Sequence, residues 1–96
     1  MTRSLDEAAR ALNEAGKGFL PGLLGLSVTG AGEGWVEAEL AIRAELLAPN
    51  GFLHAGTVIT LADTCCGYGC VRALPAGAGG FTTIEIKTNF LGTALE

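Results

Sequence analysis

The sequence predicts an α+β domain in which an antiparallel sheet wraps one long helix. Three observations carry that prediction. Trp35 to Arg43 alternates, with Val36, Ala38, Leu40 and Ile42 on one face and Glu37, Glu39 and Arg43 on the other. Period two is the pattern of a half-buried antiparallel strand. Phe81 to Leu91 repeats it, with Ile84, Ile86 and Phe90 directed inward and Glu85, Lys87 and Asn89 outward. Between the two, Gly56 to Leu74 is almost wholly apolar or small, with one acid, Asp63, and no base before Arg72. As a helix that stretch would run about 28 Å, and its apolar character on every side asks for burial on every side.

The remaining elements follow in chain order. Ser4-Leu5-Asp6-Glu7 has the form of a capping box, and Leu5, Ala8, Ala9 and Leu12 recur at helical spacing. Gly16, Gly18 and Pro21 should end that helix. Phe19 to Leu26 is an apolar link, and Leu26 to Thr29 is the natural strand partner for Trp35–Arg43 across the Gly30–Gly34 turn. Pro49-Asn50-Gly51 marks a loop before the long helix, and Pro75 to Gly80 ends it. Gly67 and Gly69 each cost the helix about 1 kcal/mol relative to Ala, so close approach is expected there.

Composition narrows the function. The 96 residues make one domain, 49% hydrophobic and 17% charged, which excludes a disordered chain. A net charge of -4 argues against an electrostatic nucleic-acid binder. No apolar run reaches the roughly 18 residues of a membrane span, and the acidic N-terminus has no signal-peptide core. So small a domain gains from burying surface against a second chain. Cys65, Cys66 and Cys70 are too crowded for a disulfide framework and lack zinc-site spacing, and His54 is the single histidine. They read as small buried side chains in a reducing cytoplasm, with no metal.

Asp63 is the residue that chemistry singles out. A carboxylate on an apolar helix costs several kcal/mol unless hydrogen-bonded, paired or solvated in a cleft. It is therefore a candidate general base or nucleophile, with a structural acid bonded to a nearby loop as the alternative. Gly56, at the helix start, offers a backbone N–H at the electropositive end, suited to an oxyanion. Along one helix the two lie about 10 Å apart, too far to meet on one carbonyl. Two antiparallel copies would bring them together, so an active site built from both must be shared between subunits.

Asn50-Gly51-Phe52-Leu53-His54-Ala55-Gly56 followed by Leu61-Ala62-Asp63 resembles the H-G-G…L-A-D signature of hotdog-fold acyl-CoA thioesterases, in particular the PaaI-like branch. Phe81-Thr82-Thr83-Ile84-Glu85 through Asn89-Phe90 resembles the strand that follows the hotdog helix. The resemblance implies that Asp63 attacks the thioester or activates water, and that Gly56 polarises its carbonyl. It implies that Asn50 and Thr83 assist the water or the thioester. His54 would organise the loop, and Ala55 and Gly67 would lie against the substrate. The implied partners are an acyl-CoA and further copies of the chain, as a homodimer or a dimer of dimers, with no cofactor. Ala55 departs from the first glycine of the motif but keeps its N–H, and Gly67 stands where another branch carries a hydroxyl. The family fold continues with further antiparallel strands after Glu96, so residues 1–96 are expected to form one hotdog domain lacking its C-terminal strands. A non-catalytic acyl-CoA or acyl-carrier-binding module and a hotdog dehydratase are the competing functions.

Overall fold

The alternation after residue 34 is realised as a hairpin. The computed structural model describes residues 3–74, 77, 79–80 and 82–92. In it β1 (Ser27–Gly32) pairs antiparallel with β2 (Trp35–Glu39), from Ser27 opposite Glu39 to Gly32 opposite Trp35. Gly34, at φ 80°, takes the left-handed conformation that the tight turn demands. Val36 and Ala38 are half-buried while Trp35, Glu37 and Glu39 face outward, as the pattern requires.

Around this hairpin stand α1 (Arg3–Gly16), α2 (Leu20–Leu24) and α3 (Ala55–Ala73), with a 3-10 turn at Ala44–Leu46. The α1 helix lies on β1, and β2 lies on α3. Ala9, Val28 and Ala31 are buried between them, with Leu12, Leu26, Val36 and Tyr68 packed around. Gly69 faces the sheet, where an added Cβ would sit 3.9 Å from Val36, so β2 approaches the helix at one of the two predicted glycines. An α+β fold is thus observed, with the long helix within one residue of its predicted bounds.

Five expectations are corrected. The first helix already includes Arg3, the first described residue, so Ser4 lies inside it and not at its cap; helix ends shift by one or two residues easily. The β2 strand ends at Glu39 because β1 offers no partner beyond Ser27. The Arg43 guanidinium instead holds the end of α2, Nη1 donating to Leu24 O at 2.8 Å and Nη2 to Leu23 O at 3.0 Å. Residues 82–92 pair with no strand among the described residues, and Ile84 is 94% exposed; Phe81 lies outside them. A strand exists only through its neighbour's hydrogen bonds, and no described edge supplies them. The α3 helix is apolar all round but not buried all round, with Thr57 its one buried residue, because the hairpin and α2 cover only one side. Cys66 and Cys70 lie on its uncovered side and are exposed, and only Cys65 is half-buried.

Candidate active site

The start of α3 is pinned from behind. Leu53 bridges to Leu47, the His54 N–H donates to Leu46 O at 3.0 Å, and the buried Thr57 hydroxyl donates to the same oxygen at 3.1 Å. His54 is extended (φ -64°, ψ 132°) and caps the helix, its Nδ1 accepting from the Gly56 N–H at 2.8 Å. That bond leaves the ring proton on Nε2. An added Cβ at Gly56 would lie 3.0 Å from Nδ1 and 3.1 Å from Cε1, so glycine is what lets the imidazole lie over the first turn.

The predicted oxyanion donor is therefore engaged. Gly56 gives its N–H to His54 Nδ1, and the N–H groups of Thr57 and Val58 both go to His54 O. Ala55 is exposed and its N–H finds no acceptor among the described residues, which leaves it the open donor of the first turn. Asn50 is exposed, with Oδ1 accepting from the Phe52 N–H at 3.1 Å; it shapes its own turn.

Two turns further along, Asp63 is half-buried on α3 and accepts from the Thr83 hydroxyl, Oγ1 to Oδ1 at 2.9 Å. Two residues that the sequence nominated from separate segments thus meet. Asp63 lines a groove of about 280 Å³ with Pro21, Thr64, Gly67, Tyr68 and Val71, which also places Gly67 beside the carboxylate. His54 and Gly56 line a different cavity of about 290 Å³ with Leu46, Thr57 and Thr60. A larger depression of about 560 Å³ beside α2, lined by Phe19, Leu20, Leu23 and neighbouring glycines, carries no titratable group. Within one chain, donor and carboxylate face separate spaces.

Burial, with the neighbouring Cys66 thiol as the smaller cause, pushes the Cys65 thiol above its ordinary value, and burial followed by Cys65 does the same for the Tyr68 phenol. Both stay protonated, which disfavours Cys65 as a nucleophile. No group of three or more His, Cys, Asp or Glu side chains capable of holding a metal ion occurs among the described residues, and none of their helices is long and apolar enough to cross a membrane.

Two elements escaped the sequence reading. Asn13 grips the outer edge of β1, Nδ2 donating to Val28 O at 3.0 Å and Oδ1 accepting from the Val28 N–H at 2.7 Å. Tyr68, which lines the groove with Asp63, carries no local signal beyond its place five residues along an apolar helix.

Residues 50–95 match the thioesterase superfamily. The chain is 29% identical over 89 residues to a 1,4-dihydroxy-2-naphthoyl-CoA hydrolase of Escherichia coli, covering 90% of this chain and 62% of that protein. It is 33% identical over 71 residues to a Pasteurella multocida protein named as an esterase, covering 71% of this chain and 48% of that protein. The crystal structure of a thioesterase from Haemophilus influenzae superposes with a TM-score of 0.80 at 26% identity, over 90% of this chain and 59% of that one. A thioesterase of Pseudomonas aeruginosa, solved as a mutant, shares the fold with a TM-score of 0.65 at 22% identity, over 70% of this chain and 48% of that one. The chain thus spans between 48% and 62% of the length of the relatives it matches.

Proposed function

We propose that this chain, whose residues 50–95 match the thioesterase superfamily and whose fold is that of the hotdog thioesterases it superposes on, is an acyl-CoA thioesterase that hydrolyses a thioester to the free acid and CoA. The observation that carries the reading is the Thr83–Asp63 hydrogen bond at the wall of an apolar groove. A hydroxyl donating to Oδ1 fixes the carboxylate plane and leaves Oδ2 for chemistry. Asp63 then attacks the thioester carbon itself or takes a proton from the water that does. The carbonyl oxygen gains charge as the bond forms, and a first-turn N–H of α3 stabilises it. In the hydrolytic sum, water supplies the hydroxyl of the acid, the C–S bond breaks, and the leaving thiolate receives the proton.

Ala55 supports the donor role most directly, because its N–H has no competing acceptor among the described residues. Ala55 and Asp63 lie about 12 Å apart along the helix, and Gly56 beside the donor lines a cavity separate from the groove of Asp63, so the reading requires two antiparallel copies of α3. A homodimer, alone or within a tetramer, supplies that arrangement in a reducing cytoplasm. Asn50 and Gly67 would flank the thioester. A dehydratase would want His54 beside the acid, whereas its Nδ1 is held by Gly56.

The test is free-thiol release from a panel of acyl-CoAs. Wild type should turn over some members, and Asp63→Asn should lose about 10²–10⁴-fold, the range for a missing general base. Wild-type rates in Asp63→Asn would refute the assignment, and binding without turnover by the wild type would favour the non-catalytic module.

A further inference from the structure

Thr57 is the one buried polar side chain among the described residues. The first two threonines of α3 use their hydroxyls differently. Thr60 donates back to Gly56 O at 2.8 Å, one turn down its own helix. Thr57 sends its proton out of the helix, to Leu46 O at 3.1 Å, the oxygen that also accepts the His54 N–H at 3.0 Å. Side chains on a helix lean toward its N-terminus, so a hydroxyl at residue 57 reaches back toward the level of residues 54 and 55. One carbonyl therefore grips the chain on both sides of Ala55. That carbonyl is itself fixed. Leu46 is buried at the end of the 3-10 turn, its N–H donates to Arg43 O at 2.9 Å, and the Arg43 guanidinium holds the end of α2.

We propose that Thr57 is a positioning residue for thioester hydrolysis, acting through Leu46 O to hold the Ala55 N–H where the oxyanion forms. The inference rests on the thioesterase reading and gives a role to a residue which that reading leaves out. An oxyanion donor works best when its direction is set before charge develops, because reorienting it during the reaction costs energy. The Ala55 N–H has no acceptor of its own among the described residues to set that direction. It is set instead by the peptide joining His54 to Ala55, and the Leu46 carbonyl holds that peptide through His54 on one side and Thr57 on the other. A valine at residue 57 keeps the branched shape and loses the hydroxyl. It leaves Leu46 O with the His54 N–H, so no buried carbonyl is orphaned.

The experiment measures kcat and KM, on an acyl-CoA that the wild type cleaves, for Thr57→Val, Thr57→Ser, Ala55→Pro and the double variant Ala55→Pro with Thr57→Val. Circular dichroism confirms each fold. Thr57→Val should lower kcat by about tenfold, less than the roughly 10²-fold that a 1 Å misplacement can cost, with KM within about twofold. Thr57→Ser, which keeps the hydroxyl, should recover the rate. Once Ala55→Pro has removed the donor, Thr57→Val should cost no more than about a further twofold, since nothing is left for it to position. A residue that only supported the fold would lose the same factor in both backgrounds. If Thr57→Val does not fold, Thr57→Ala, a better helix former, takes its place. Wild-type kcat in the folded variant, a change confined to KM, or equal losses with and without Ala55→Pro overturns the proposal while the thioesterase reading stands. A wild type that cleaves no member of the acyl-CoA panel overturns both.

Discussion

Thr83 donates its hydroxyl proton to Oδ1 of Asp63 at 2.9 Å, tying the segment after α3 to the middle of that helix. Residues 82–92 are exposed and unpaired with any described strand, so this bond is a specific attachment of that segment to the fold. It also resolves the problem that an isolated acid poses on an apolar helix. The carboxylate is half-buried and keeps a hydrogen-bond donor, and neither described ion pair includes it.

Thr83→Val should therefore lower kcat on a good acyl-CoA by up to about tenfold. A net hydrogen bond is worth about 0.5–1.5 kcal/mol, and 1.36 kcal/mol corresponds to a factor of ten in rate. KM should stay within about twofold, since the bond orients the carboxylate and does not hold substrate. Thr83→Ser should recover the rate. Steady-state kinetics of the two variants check this, and an unaltered kcat in Thr83→Val would remove Thr83 from the machinery.

Asn13 gives a stability prediction. Its amide replaces a neighbouring strand on the outer edge of β1, satisfying both backbone groups of Val28. Asn13→Ala should cost about 1–3 kcal/mol, two hydrogen bonds at about 1 kcal/mol each with some penalty for the groups left unpaired. Urea denaturation followed by circular dichroism measures it. A cost below about 0.3 kcal/mol would mean that water replaces the amide without loss.

These residues divide what the sequence reveals from what it hides. The alternation of Val36 and Ala38 with glutamates gave β2, and the isolation of Asp63 in an apolar run gave both α3 and its acid. Periodicity reports which face of an element is covered, and it needs no knowledge of the partner. Phe81 to Leu91 has the same alternation and yet pairs with nothing described, because pairing depends on an edge supplied by another segment. Arg43 and Asn13 were invisible for a related reason: each bonds backbone groups at least 15 residues away, and any long polar side chain can do so without leaving a local pattern. His54 and Gly56 were legible as a motif, but the engagement of the Gly56 N–H by the ring followed only from their geometry.

The cysteines make a pH prediction. Cys65 titrates above the ordinary thiol value of 9.0 in the folded chain because burial penalises the thiolate. The unfolded chain thus loses that proton first as pH rises, and binds fewer protons than the native state above about 9. Stability contributed by Cys65 is then whole below pH 9 and declines as pH climbs through its raised value. Tyr68 adds a decline in the same direction starting from 10.0. Thermal melts between pH 8 and pH 11 should fall less steeply in Cys65→Ala than in wild type. Brief alkylation at pH 8 should label the exposed Cys66 and Cys70 before Cys65, as mass spectrometry of the peptides would read. Equal labelling of all three would contradict the assigned burial.

The shared site is testable by complementation, and the local backbone supplies an unusually clean variant. Ala55 is the first residue of α3, where proline fits because its N–H has no intrahelical partner. The residue before a proline must be extended, and His54 already is, at φ -64° and ψ 132°. Ala55→Pro therefore removes the proposed oxyanion donor while sparing the cap bond between Gly56 and His54. Asp63→Asn removes the carboxylate two turns along α3. Each variant alone should be folded and nearly inactive. If one site takes Ala55 from one chain and Asp63 from the other, a mixed dimer holds one site with both defects and one with neither. Random pairing of equal amounts gives about half heterodimers, and half of their sites work, so about a quarter of wild-type activity should return on co-refolding. Heterodimers confirmed by mass spectrometry that recover no activity would show that each chain completes its own site. The separation of donor and carboxylate along α3 would then have to be bridged by movement within one chain.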